Sequence, residues 1–187
     1  YRGWGLTANK VWSDKDFMKS NDDIYFAVYA GTKLLDGTDG TENTIRRLTA
    51  ADDQSLYWYF DKLVEGRRFT DYIVREVKIG DPVVDDDGYV ISYSSLIPVN
   101  EAGELKVNAV DAYNEESREY TYKAHYDQGE IQGVNSNIRE DIVTNSRPGI
   151  EVRKTDWSGA ALANAVFTFK DEDGKDVGAN ASFKSGD

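Results

Sequence analysis

Short runs of β-forming residues, each closed by a turn pair, recur along this chain and constrain its fold more than any other feature. Ile24–Tyr29 is β-branched and aromatic and runs into a turn at Gly31; Leu56–Phe60 is a five-residue aromatic run. Tyr72–Val77 alternates, with Tyr72, Val74 and Glu76 on one face and Ile73, Arg75 and Val77 on the other. Further strands are expected at Tyr89–Tyr93, Glu104–Val110, Glu119–His125 and Asp141–Asn145. Asp-Gly pairs at Asp36-Gly37, Asp39-Gly40, Asp87-Gly88 and Asp173-Gly174 supply residues that accept the positive φ of tight hairpins. Many short strands with regular turn signals predict an all-β sandwich. Only Trp12–Met18 and Thr49–Gln54 read as brief helical turns.

Composition narrows the chemistry. The chain carries no cysteine, so disulfides, Cys-based zinc sites and thiol nucleophiles are excluded. One histidine, His125, leaves no His-rich metal site, and it reads as a packed or surface residue. The formal net charge of −12 repels nucleic-acid backbones and anionic membrane surfaces, and keeps an extended protein soluble. No apolar run approaches the roughly 18 residues of a membrane span. The acidic runs Asp85–Gly88 and Asp171–Gly174 do not continue into a calcium-binding loop and read as hairpin turns. Tyr57, Trp58 and Tyr59 read as a core strand with cross-strand pairs in preference to a sugar-stacking platform.

Ser146-Arg147-Pro148-Gly149 is a boundary, because Pro and Gly punctuate there and a new strand, Ile150–Thr155, begins at once. Residues 1–147 are expected to form one domain. Residues 150–187 are too few to bury a core of their own and read as the opening strands of a second one. The abrupt ends suggest a segment of a longer protein.

Five stretches in order resemble the Cna protein B-type repeat, the stalk module of Gram-positive surface adhesins and pilins. Ala8–Asp14 is similar to that family's Lys-x-Trp-Asp-Asp opening; Ile24–Leu34 to its strand and hairpin; Tyr59–Leu63 to its Tyr-x-Phe-x-x-Leu pattern with one spacing change. Tyr72–Val77 matches Tyr-x-Val-x-Glu, and Ile142–Asn145 matches the closing Thr-Asn. Ile150–Asp156 and Leu162–Phe169 restart the theme, as a second repeat would. The chain departs from the family in the long spacing between Glu76 and Asn145, where about 80–137 reads as an inserted extension. The resemblance implies an Ig-like or prealbumin-like β-sandwich, extracellular and attached to the cell surface or cell wall. It further implies a monomer whose neighbours are repeats of the same protein.

The family also implies a spontaneous isopeptide bond between a first-strand Lys and a last-strand Asn, assisted by a Glu. The matching positions are Lys10, Asn145 and Glu76, with Lys154 as the unpaired lysine of the second module. Asn135 and Asn137 are reserve acceptors, and Glu119 and Glu140 reserve acids. The logic stands on general chemistry. A lysine is nucleophilic only when neutral, and burial favours that form. A buried Glu stays protonated, can polarise the Asn carbonyl, and can relay a proton to departing ammonia. Folding supplies the effective concentration. The reaction runs once, needs no cofactor or metal, and is not enzymatic turnover. A plainer reading makes Lys10 an edge-strand lysine with its ammonium in water. The functional expectation is a stalk module; the alternative is an adhesin module that recognises a host protein or glycan through the inserted segment. A third reading, an accessory domain of a glycoside hydrolase, lacks a paired-carboxylate signature.

Overall fold

The computed structural model describes residues 3–15, 18–49, 55–111, 115–133, 137–147, 154–176 and 182–184. The chain divides into two compact units, Tyr1–Arg147 and Pro148–Asp187.

The first unit is a sandwich of two sheets. Its strands are β1 (Trp4–Trp12), β2 (Met18–Asn21), β3 (Ile24–Ala30), β4 (Lys33–Leu34), β5 (Arg46–Leu48) and β6 (Ser55–Phe60). After the short 3-10 turn Phe69–Asp71 come β7 (Tyr72–Gly80), β8 (Val83–Val84), β9 (Val90–Ser92) and β10 (Ser95–Pro98). The unit closes with β11 (Glu104–Asp111), β12 (Ser117–Asp127) and β13 (Ile138–Ser146). The larger sheet has the order β2-β11-β12-β13-β1-β6; the smaller has β10-β7-β3-β4, with β5 also on β3. The first and last strands lie side by side and parallel, Lys10 opposite Val143 and Trp12 opposite Asn145.

Period-two alternation builds the core. On β1, Leu6, Ala8, Lys10 and Trp12 turn inward, while Val11 is exposed. On β3 the inward set is Ile24, Phe26, Val28 and Ala30, and on β6 it is Leu56, Trp58 and Phe60. These meet Tyr72, Val74, Leu105, Val107, Tyr122, Ala124 and Val143 in one continuous cluster. Burial of this kind stabilises by about 25 cal/mol per Å² of apolar surface. The Asp-Gly turns form as read: Gly37, Gly40, Gly88 and Gly174 all have positive φ.

The stretch from about 80 to 137 does two things. The β8–β9 hairpin places Val90 with Ile45, Ala27 and Val77 in a second cluster on the outer face of the smaller sheet. By contrast, β11 and β12 complete the larger sheet and contribute Leu105, Val107, Ala109, Tyr122 and Ala124 to its buried face.

Two local expectations are corrected. Of the described residues in Trp12–Met18, 13–15 form a turn, whereas Trp12 ends β1 and Met18 opens β2; Trp12 packs edge-on against Tyr122 at 4.9 Å and continues the inward alternation. Of Tyr57, Trp58 and Tyr59, read together as core, only Trp58 is buried, because alternation along β6 turns Tyr57 and Tyr59 outward, each about half exposed; the turn expected at Thr49–Gln54 falls almost wholly outside the described residues. In the second unit β14 (Val166–Thr168) pairs antiparallel with β15 (Ser182–Lys184), and Thr155 bridges Ala161. The strand expected from Ile150 falls mainly outside the described residues.

Candidate functional site

β1 and β13 present side chains of the same parity to the interior, so Lys10 and Asn145 share the buried face of one sheet, diagonally across a parallel pair. β7 presents Glu76 from the facing sheet, on the inward set with Tyr72 and Val74. Lys10 is 5% exposed, and Glu76 and Asn145 are 0% exposed. The Lys10 amine and the Glu76 carboxyl thus meet in the buried interior, with the Asn145 carboxamide adjoining Glu76.

Lys10 is not an edge residue. β1 lies between β13 and β6 in the larger sheet, pairing with β6 as far as Asn9 and with β13 through Trp12, and the Lys10 side chain is buried on its inward face. The amine donates to the Val11 carbonyl at 2.9 Å, lies 3.8 Å from a Glu76 carboxyl oxygen, and sits 3.9 Å from the centroid of the Trp12 ring. Burial pushes its pKa below the ordinary 10.5, opposed by the nearby Glu76 and Asp14 charges. Burial likewise pushes the Glu76 carboxyl above its ordinary 4.5, opposed by Lys10 and by the adjacent Asn145 carboxamide. Both shifts bring a neutral amine beside a protonated acid within reach near neutral pH, with Lys10 lowered to about 8 and Glu76 raised to about 7.

Neither carboxyl oxygen of Glu76 and neither polar atom of the Asn145 carboxamide has a hydrogen bond of ordinary geometry among the described residues. Four unsatisfied polar atoms in one buried spot are expensive, since each orphaned group costs about 1–3 kcal/mol. Such a cost calls for a reason, and chemistry between the groups is one that their identities supply.

The Glu76 backbone is fixed from both sides. Its carbonyl accepts from Val99 N–H at 2.8 Å, and its N–H donates at 3.1 Å to the Tyr126 hydroxyl, which itself donates to the Val99 carbonyl at 2.7 Å. Tyr126 thus reaches across from β12 to hold the strand that carries the acid.

Two constellations near the site carry no sequence expectation. On β13, Arg139 and Asp141 form a buried two-pronged ion pair, both bonds 2.9 Å. The same guanidinium donates to the carbonyls of Phe69 and Tyr72, tying β13 to the start of β7. Their shared parity with Asn145, two and three steps along one strand, was the available signal. Beyond β1, the buried Asp14 accepts from the Tyr122 hydroxyl at 2.9 Å and pairs with Arg147.

The remaining candidates lie elsewhere. Glu119 and Glu140 are exposed on outward faces, and Glu119 meets Lys106 at 3.8 Å. Asn137 uses its backbone carbonyl to receive Gly5 N–H, and Asn135 lies outside the described residues. Lys154 is exposed in the second unit. His125 is bound to the Glu101 carboxylate at 2.7 Å. Asp85 and Asp171 each accept two backbone N–H groups within their own turns. No group of three metal-ligating side chains occurs among the described residues.

Comparison of the chain with family models, with curated proteins and with solved structures finds no match.

Proposed function

We propose that this chain is a structural stalk segment of an extracellular surface protein, stapled by an autocatalytic amide bond between Lys10 and Asn145 that Glu76 promotes. The observation that carries the reading is the burial of an amine, an acid and an unsatisfied carboxamide together in a cysteine-free sandwich.

The chemistry balances without a co-reactant. The neutral Lys10 Nζ attacks the Asn145 side-chain carbonyl carbon while the protonated Glu76 donates to the carbonyl oxygen. Glu76 then takes the proton from the attacking nitrogen and passes it to the carboxamide nitrogen, and it recovers its own proton from the oxygen as the carbonyl re-forms. The C–N bond to that nitrogen breaks, ammonia leaves, and an amide joins β1 to β13. Fixing the groups in contact replaces a bimolecular encounter, an effect worth up to about 7–11 kcal/mol of barrier.

The rival reading, a recognition surface on residues 80–137, calls for exposed aromatics there. Among the described residues of that stretch the exposed large apolar side chains are Val83, Ile91, Ile97 and Ile131, and none is aromatic.

Intact-mass spectrometry of the folded protein tests the proposal. The expected mass is one ammonia below that of the sequence, with Lys10→Ala, Asn145→Ala and Glu76→Ala each restoring the full value. A full mass in the parent protein would refute the cross-link.

A further inference from the structure

This inference rests on the cross-link reading and concerns what aims its acid. Tyr126 on β12, Val143 on β13 and Lys10 on β1 are register partners, so they form one row across the inner face of the larger sheet. Glu76 faces that row from β7 in the other sheet, its carboxyl 3.8 Å from the Lys10 amine. Its reach therefore depends on where the β7 backbone stands relative to the row.

Tyr126 fixes that backbone directly. Val99 follows β10 and faces Glu76 one step beyond the pair of Pro98 with Val77. Antiparallel residues opposed and bonded in this way ordinarily exchange two backbone bonds. Here the Val99 N–H donates to the Glu76 carbonyl at 2.8 Å, but a phenol takes the place of the return bond. The Tyr126 hydroxyl accepts the Glu76 N–H at 3.1 Å and donates to the Val99 carbonyl at 2.7 Å. The ring is held as well, since the Arg75 guanidinium lies 4.3 Å over it. Tyr126 also lines a cavity of about 130 Å³, together with Val74, Val143 and the exposed Glu101, Asp127 and Gln128. Glu76 lies behind the tyrosine and does not line that cavity.

We infer that Tyr126 is the positioning residue of the cross-link: its hydroxyl, wedged between β7 and Val99, holds Glu76 at the height at which its carboxyl meets the Lys10 amine. The phenol touches no reacting atom and acts through the Glu76 backbone alone. Without the hydroxyl, the Glu76 N–H and the Val99 carbonyl lose this partner, and water from the cavity would take its place. The acid would then drift from the amine and become hydrated. The other elements around Glu76 bring Phe26 from β3, Val99, Asn145 from β13 and Lys10 from β1, of which Lys10 alone ionises.

Two measurements test the role. The first is the rate of ammonia loss, followed by intact mass in chains purified unfolded and then refolded. Tyr126→Phe, which keeps the ring, should react about tenfold more slowly than the parent or worse, since a displacement of about 1 Å can cost about a hundredfold. Val107→Ala, a core lesion on β11 that removes none of these bonds, should lower stability yet react at the parent rate once folded. The second uses the Asn145→Ala protein, where Lys10 and Glu76 stay free, and follows the Glu76 carboxyl carbon by NMR against pH. Adding Tyr126→Phe should bring its midpoint down from about 7 towards the ordinary 4.5, and adding Val107→Ala should leave it in place. A folded Tyr126→Phe chain that reacts at the parent rate, one slowed no more than Val107→Ala, or a Glu76 midpoint that Tyr126→Phe does not lower overturns the positioning role. A parent chain that never loses ammonia sinks the cross-link and this role together; one that does, beside an equally fast Tyr126→Phe, sinks the role of Tyr126 alone.

Discussion

Lys10 and Glu76 illustrate how a dry site weakens the usual preference for charge. Burial alone moves the amine down and the acid up, and the neutral pair and the ion pair differ only by a proton passed across 3.8 Å. The consequence for stability has a definite sign in the Asn145→Ala protein, where both groups stay free. Glu76 binds its proton more tightly folded than unfolded, so it adds stability at acid pH that is lost as pH rises through the folded value. Lys10 binds its proton less tightly folded, so stability is regained as pH rises from its folded value towards 10.5. The two limbs leave a trough around neutrality. In the cross-linked protein the Lys10 nitrogen is an amide and the alkaline limb disappears. Thermal midpoints measured against pH should therefore converge for Asn145→Ala and wild type on the alkaline side. Curves that stay parallel from neutral pH to about pH 10 would show that Lys10 does not titrate as described.

At the scale of elements, strand identity was legible because it is a local property. Ile24–Ala30, Leu56–Phe60, Tyr72–Val77 and Glu104–Val110 carry β-forming side chains, and the Asp-Gly pairs mark their ends. The inward face of β7 followed from alternation, which placed Glu76 with Tyr72 and Val74. What alternation does not encode is which strand lies beside which. The parallel neighbours β1 and β13 are separated by most of the unit, and β12 joins the core sheet although its stretch reads as an extension. The Arg139–Asp141 pair was missed for a related reason: a buried ion pair inside a strand has the sequence appearance of a solvated one. Its structural role can be tested. The Arg139 guanidinium is fully buried and its bonds span β13, the 3-10 turn and β7. Arg139→Ala would leave Asp141 an unpaired buried charge and remove a donor from the Phe69 and Tyr72 carbonyls. A loss of about 3–5 kcal/mol is expected by urea denaturation in the Lys10→Ala background. A cost below about 1 kcal/mol would mean that water readily replaces the guanidinium.

For the whole molecule, the parallel arrangement of β1 and β13 decides how tension is borne. The chain enters the first unit at the start of β1 and leaves at the end of β13, so pulling on its ends loads these adjacent strands in shear along their shared ladder. Without a covalent link, the hydrogen bonds between them rupture and the whole unit can extend. With Lys10 joined to Asn145, force passes along β1 to Lys10, across the amide and out through Ser146, and residues 11–144 are bypassed. The same closure removes denatured-state freedom worth about 5 kcal/mol in the loop-entropy picture. With that bond, a cysteine-free chain would gain what a disulfide otherwise supplies, through a link that reductants do not cleave. Single-molecule stretching separates the cases. Wild-type protein should show no unfolding step for the first unit, while Asn145→Ala should release a contour of roughly 450 Å, about 3.4 Å per bypassed residue. A wild-type trace with that same step would place the mechanical strength in the sheet instead of the amide.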